Sequence, residues 1–524
     1  MAGEDTHRTF RILSVIAATL ISLACGTNYA YSAWAPQFAR RMQLSATQSN
    51  LIGNFGNFGM YASGIPVGLL VDSKGPRPAI AIGGLALGAG YFPIHRTYDN
   101  GPGSMSVTLL CFFSFLTGLG SCSAFSACIK TSASNWQRHR GTATAFPLAA
   151  FGLSAFFFTS VSGLFFPEDT SDFLLFLSIG TVTLVAVSFL FIRIVPHLHP
   201  PYTAVSTFEE RAGLGPRRDS NQMTRPKPRP KDYGASSIDL EPGKNFILII
   251  ENADETSSLM SKDSGGPGDI SPDDEARHHE DLRLHRLDIT GMALLSRPEF
   301  WQLFVMLGLL TGVGLMTINN IGNDAHALWS HYDDSVDQRF ILARQLLHVS
   351  TISFFSFTGR LLSGIFSDVL VKKHHMSRFW CLVASASIFT IAQVCAMSIE
   401  NPHSLWAVSS LTGLAYGALF GVYPALVADS FGVPGLSLNW GFMTLSPVIS
   451  GNIFNLAYGS IYDKHSVINR DGERECSDGL ECYRKAYWVT FAASVIGILV
   501  SLWSIKHERD MKRKARQELE DHRA

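Results

Sequence analysis

An all-α membrane protein with twelve transmembrane helices in two six-helix halves is the fold class this sequence predicts, and three observations carry it. The 524 residues are 47% hydrophobic and only 16% charged, well below the roughly 25% charge of a soluble domain. Windows of about 20 apolar residues, enough to cross about 30 Å of hydrocarbon, recur along the chain. A long polar stretch divides those windows into six plus six. A water-soluble enzyme is therefore not expected. A net charge of -1 leaves no basic excess for nucleic acid, whose binding depends on displacing counterions from phosphates.

The N-terminal half, residues 1–195, places its spans near 11–35, 48–71, 79–95, 106–129, 142–165 and 173–195. The first is too long for a signal-peptide core, so it is read as a span with the N-terminus in the cytosol. Residues 196–296 turn to Pro, Ser and mixed charge, as in Pro226-Lys227-Pro228-Arg229-Pro230. Such a segment buries too little apolar surface to offset its ordering entropy, and a disordered cytosolic loop is expected. Its apolar island at 246–250 is too short to span. The C-terminal half, 297–507, places spans near 300–322, 343–367, 378–397, 404–427, 439–461 and 486–505, and a charged tail at 508–524 returns to the cytosol. Lys74, Arg77, Lys130, Arg138, Arg140, Lys372, Lys373 and the tail follow the positive-inside rule, while Arg40, Arg41 and the 464–485 loop run against it. Of eight cysteines, six fall in spans as packing residues. Cys476 and Cys482 share the last outward loop, where a disulfide and two free thiols are equally open.

The second span ends Gly68-Leu69-Leu70-Val71-Asp72-Ser73-Lys74-Gly75-Pro76-Arg77, and the eighth ends Gly364-Ile365-Phe366-Ser367-Asp368 before Lys372 and Lys373. A small residue, an acid four positions on and basic residues thus recur at matching places in both halves. Gly64 and Gly68 would let another helix approach closely, and the acid could sit against a helix N-terminus as a conformational latch. The first copy resembles the signature loop of the major facilitator superfamily, Gly-x-Leu-x-Asp-x-x-Gly-x-Arg, at Gly68, Leu70, Asp72, Gly75 and Arg77, with Pro76 and Pro78 as departures. Within that superfamily the chain is similar to the fungal and plant nodulin-like group, through Ser296-Arg297-Pro298-Glu299-Phe300-Trp301, Ile318-Asn319-Asn320-Ile321-Gly322, Gly413-Leu414-Ala415-Tyr416-Gly417 and Asp429-Ser430-Phe431-Gly432. Arg138-His139-Arg140-Gly141-Thr142-Ala143 and Arg360-Leu361-Leu362-Ser363-Gly364 give a looser likeness to monocarboxylate porters. The acid those porters place one turn before the arginine is Ser356 here, and the first span has no lysine. Their proton coupling is therefore not carried over whole.

Arg360 lies eight residues before Asp368, about 12 Å into the membrane at 1.5 Å per residue. An arginine so deep must face protein or water, where it either anchors an anion in bidentate geometry or braces helices. Asn28, Tyr31, Asn319, Asn320, Tyr416, Tyr423, Asn452 and Asn455 occupy single faces of the first, seventh, tenth and eleventh spans and could line a midplane site. No aspartate or glutamate is expected at mid-depth. His348 is left as the span residue that titrates near neutrality and could couple protons. No Cys/His spacing for a metal, nucleotide loop or nucleophile set occurs, and no cofactor is expected.

These readings predict a carrier moving a small organic solute, a monocarboxylate as the specific expectation, by rocking two halves around a central site in the lipid bilayer. A non-transporting membrane sensor and an efflux carrier for a hydrophobic metabolite are the alternatives. Glu255-Thr256-Ser257-Ser258-Leu259-Met260 resembles an acidic dileucine sorting signal and implies a sorting adaptor. With the likeness to vacuolar fungal proteins, it favours the vacuolar over the plasma membrane.

Overall fold

The computed structural model describes residues 2–136, 140–165, 169–195, 289, 291–333, 337–432, 436–468 and 474–521. Most of the central stretch lies outside them, with the island at 246–250, the sorting string at 255–260, and also Arg138 and His139. Among the described residues, ten helices are long and apolar enough to cross a membrane. The second and eleventh spans complete twelve, each built from two shorter helices: Ala46–Ala62 with Gly64–Lys74, and Leu436–Met443 with Leu445–His465.

Proline explains both breaks. A proline ring clashes with the carbonyl four residues earlier and has no N–H for the ladder. For Pro66 and Pro447 those carbonyls belong to Ala62 and Met443, where the helices stop. The two breaks face each other, and Thr444 Oγ1 donates to the carbonyl of Tyr61 at 3.1 Å. The first span is also interrupted, by a 3-10 turn over Gly26–Ala30. There the fifth span, Arg140–Phe165, comes so close that a Cβ on Gly26 would lie 2.2 Å from the Phe151 carbonyl oxygen.

Helix ends segregate to two sides. On the side where the first span begins, Arg378 joins Asp368 (3.0 Å) and Asp429 (2.8 Å), and Ser377 donates to Glu508. Burial alone would lower the pKa of Arg378, but Asp429 and Asp368 hold it above the ordinary arginine value. On the far side the eleventh span runs into a short antiparallel pair, Val467–Ile468 with Arg474–Glu475. A disulfide joins Cys476 to Cys482, so the pairing left open by the sequence is formed. Gly479 takes φ +59°, and a Cβ there would meet His331, so this turn needs glycine.

Three expectations change. Disorder through residue 296 does not hold at its end: Ile289 N–H donates to the Phe431 carbonyl, and Gly291–Ser296 forms a 3-10 turn with Leu294 fully buried. The last helix is continuous over Arg484–Asp521, so the tail prolongs the twelfth span. Gly68 and Gly364 have open space where a Cβ would go, so among the described residues no helix packs closely against either, whereas a Cβ on Gly64 would touch Thr444 at 3.5 Å.

Candidate functional site

Helix interruptions and the repeat bring a cation and three phenols to the seam between the halves. Arg360, on the eighth span (Gln338–His374), is 6% exposed. Its Nη1 donates to the Leu148 carbonyl of the fifth span at 3.0 Å, and its Nε makes no hydrogen bond. The guanidinium lies over the rings of Phe151 (5.6 Å) and Phe420 (5.8 Å), one from each half. Gly152 leaves the room, because a Cβ there would stand 3.3 Å from Nε. Among the described residues no carboxylate pairs with this arginine. A buried guanidinium held by one carbonyl and two ring faces keeps donors for an anion.

Beside it, Tyr29 from the 3-10 turn, Tyr61 from the second span and Tyr416 from the tenth (Trp406–Phe431) form a triangle of hydroxyls. The Tyr29–Tyr61 and Tyr29–Tyr416 distances are 3.3 Å, and Tyr61–Tyr416 is 2.9 Å. Tyr29 packs edge-on against Phe151, and Tyr416 lies 4.9 Å from Phe420. Cation, rings and phenols thus form one cluster shared by both halves.

A second polar layer consists of amides. Asn320 Nδ2 donates to Asn455 Oδ1 at 3.0 Å, and Asn455 Nδ2 crosses the seam to Asn54 Oδ1 at 2.9 Å. Asn319 is buried with an unbonded Nδ2, as are Asn50, Asn54 and Asn57. The other sequence candidates turn away from the seam. Asn28 bonds the Gly56 carbonyl and Thr117. Tyr31 donates to the Ser49 carbonyl at 2.6 Å, Tyr423 to the Leu303 carbonyl, and Asn452 to Val448 of its own helix. His348 Nδ1 sits 3.1 Å from Ser409 Oγ within the C-terminal half.

Sequence reasoning missed Tyr29, Tyr61 and the Asn50, Asn54, Asn57 series, although the last stands at i, i+4, i+7 on one helical face. It also missed Asp324. The seventh span runs over Pro298–Tyr332, ten residues beyond its expected end, and so encloses an acid in its far third, Asp324, buried at 1% exposure. Tyr458 Oη donates to one carboxylate oxygen at 2.6 Å and Tyr487 Oη to the other at 2.5 Å.

On the far side the halves are tied together. Asp463, ending the eleventh span, accepts from Ala46 N (2.7 Å), Thr47 N (3.0 Å) and Thr47 Oγ1 (2.5 Å) at the N-terminus of the second. Arg40 reaches His326 and, at 2.7 Å, Gln338, and Gln37 donates to Gln345. On the side of the termini the signature acids stay within their own halves. Asp72 pairs with Lys130, Asp368 with Arg378, and Arg77 donates to the Ile192 carbonyl. Gly75, at φ +81°, supplies the left-handed turn between the second and third spans.

Residues 11–211 match the family model described as Nodulin-like, and 287–514 match the model described as NFD4, C-terminal domain. An uncharacterized membrane protein of Saccharomyces cerevisiae is 27% identical over 95% of this chain and 95% of its own length. A probable transporter, mch1, of Neurospora crassa is 25% identical over 95% of this chain and 89% of the relative. Two solved structures share the fold at 12% identity. A bacterial homolog of the human lysosomal transporter Spinster, inward-facing, has TM-score 0.59 over 95% of this chain and 97% of its own. The xylose transporter XylE from E. coli, partially occluded inward open, has TM-score 0.55 over 94% and 99%.

Proposed function

We propose that this chain, whose residues 11–211 match the Nodulin-like model and whose fold is that of solved transporters, is a carrier of the major facilitator superfamily that moves a small organic anion by alternating access, with a monocarboxylate as the first substrate to test. The observation that carries this reading is Arg360: a guanidinium buried at the seam, with no carboxylate on it among the described residues, with Nε unbonded and three phenol hydroxyls nearby. An arginine with no partner acid holds a carboxylate in bidentate geometry. Tyr29, Tyr61 and Tyr416 supply neutral donors, and the amides of Asn54, Asn320 and Asn455 line the adjoining seam. Asp72 and Asp368, with Gly68, Gly75, Arg77 and Gly364, act on the side of the termini as a latch that is disengaged in this conformation. That side is the cytosolic one on the positive-inside rule. The vacuolar membrane is the proposed location, and the string at 255–260 the proposed adaptor site.

Uptake of labelled monocarboxylates, dicarboxylates and neutral amino acids into proteoliposomes tests the reading. Saturable anion uptake that Arg360→Ala abolishes, in a variant that purifies as a folded monodisperse protein, is the expected result. A variant that transports anions like the wild type removes Arg360 from the site. Neutral solutes carried in preference to anions would overturn the substrate class.

A further inference from the structure

The two ordered ties of Asp324 and the small cavity lined by its chain neighbour Asn323 suit a job that no anion anchor performs. We infer that Asp324, held by Tyr458 and Tyr487, is the site where this carrier binds a proton and couples it to solute movement. The inference rests on the transport reading above and adds the coupling ion to it.

Geometry supports it in three steps. First, the carboxyl is buried and, among the described residues, pairs with no cation: its neighbours are phenols, Tyr458 from the eleventh span, Tyr487 from the twelfth and Tyr483 just before it. An ionisable group kept inside a membrane bundle without a counter-charge is a costly feature that marks ion and proton pathways. Second, Asp324 is placed to act on the seam. It lies four residues after Asn320 on the seventh span, and Tyr458 lies three after Asn455 on the eleventh. Asp324–Tyr458 and Asn320–Asn455 are therefore successive rungs between the same two helices, and the second rung continues to Asn54 of the other half. As a carboxylate, Asp324 accepts from both phenols. Gaining one proton turns one oxygen into a donor and weakens its acceptance from the phenol it holds, and where that oxygen is the one bonded to Tyr458 the rung next to Asn455 is remade.

Third, the residues on either side of Asp324 along its helix, Asn323 and His326, face a far-side cavity. A cavity of about 40 Å3, room for a water or two, opens on the far side among Pro36, Arg40, Ser49, Asn323, His326 and Tyr462. Asn323 is the chain neighbour of Asp324, and the Tyr462 ring stacks on Tyr458 at 5.8 Å. Arg40, His326 and Arg474 are the charged or titratable groups at this mouth besides Tyr462. Arg344 of the eighth span is turned onto the rings of Trp329 and Phe340.

Asp324→Asn keeps the size and one acceptor but binds no proton. In proteoliposomes loaded with the anion that the wild type carries best, this variant should retain counterflow at equal pH. Accumulation driven by an imposed pH gradient should fall at least about tenfold, the scale of an ordinary coupling energy. Gradient-driven accumulation equal to the wild type would overturn the proposal, as would a wild type whose uptake ignores the gradient. A second measurement needs no substrate: infrared difference spectra of the purified protein across a pH titration should contain a protonated-carboxyl band that Asp324→Asn lacks. Tyr487→Phe, which keeps the acid and removes one donor, should shift the midpoint of that band; it covers the case in which Asp324→Asn does not fold. A band that Asp324→Asn retains, or none in the wild type, refutes the proton site. Absence of counterflow for every anion tried fails the anion reading instead, and the infrared result stands apart from it.

Discussion

Tyr416 is the one phenol that the C-terminal half contributes to the hydroxyl triangle, so its oxygen holds two hydrogen bonds across the seam. Each such bond contributes about 0.5–1.5 kcal/mol. Tyr416→Phe should therefore move the equilibrium away from the far-side-closed conformation by about tenfold while leaving the fold intact. Labelling of an Ala39→Cys reporter at the far-side mouth by a membrane-impermeant thiol reagent reads that shift, and unchanged labelling would make the triangle mere packing. Gly322 gives a steric version of the same test. A Cβ there would lie 2.1 Å from the Ser32 carbonyl oxygen of the other half, so Gly322→Val should hold the far side open and stop turnover. Arg360, Tyr416, Asn320 and Asn455 were legible in the sequence, because a charge or a face-wise polar pattern inside an apolar span stands out. Tyr29 was not: its direction depends on a 3-10 turn that arises from contact with the fifth span, and periodicity carries no trace of such a contact.

Spans two and eleven show how local chemistry shapes an element at the seam. Pro66 and Pro447 end the leading helices, and the two breaks meet through Thr444 and Tyr61, with Ile65 Cγ1 3.0 Å from a Cβ position on Gly441. At the far end of the same pair, the Asp463 carboxylate caps the second span, where helix N–H groups and the positive end of the dipole favour an anion. The cap joins the halves, so its contribution of about 0.5–2 kcal/mol belongs to the closed far side and not to folding of either half. Asp463→Ala should raise the labelling rate at Ala39→Cys severalfold without altering thermal stability by more than a degree or two. Loss of stability with no change in labelling would make Asp463 a fold residue. The signature acid Asp72 sits at the opposite end of the second span and binds Lys130 in this conformation. Sequence pointed to that acid through its repeat in the eighth span. Asp463 has no such repeat, and nothing in its own stretch distinguishes a cap on another helix from an interfacial charge. The twelve spans were legible because hydrophobic length is a local property; the seventh was drawn too short because its far third mixes Asn323, Asp324 and His326, which only the surrounding helices keep out of lipid.

At the scale of the whole molecule, the distribution of links is lopsided in a way that a rocking carrier requires. Far-side and midplane groups, Arg40 with Gln338, Asp463 with Thr47, Asn455 with Asn54, tie half to half. The ion pairs on the side of the termini, Asp72 with Lys130 and Arg378 with Asp368 and Asp429, lie each within one half. Opening the far side must break several seam contacts at once, and only new contacts on the other side, the open faces of Gly68 and Gly364 among them, can offset that cost. It follows that fixing the far side shut should stop net transport without destroying the binding site. Cysteines at positions 40 and 338, joined by a short bifunctional thiol reagent in proteoliposomes, should abolish counterflow, and a cleavable reagent should allow its return on reduction. The cross-linked protein should still bind the anion from the side of the termini, with affinity within about threefold of the untreated protein. Transport that continues through the cross-link would mean that these halves do not rock about the seam, and that the solute passes by another route.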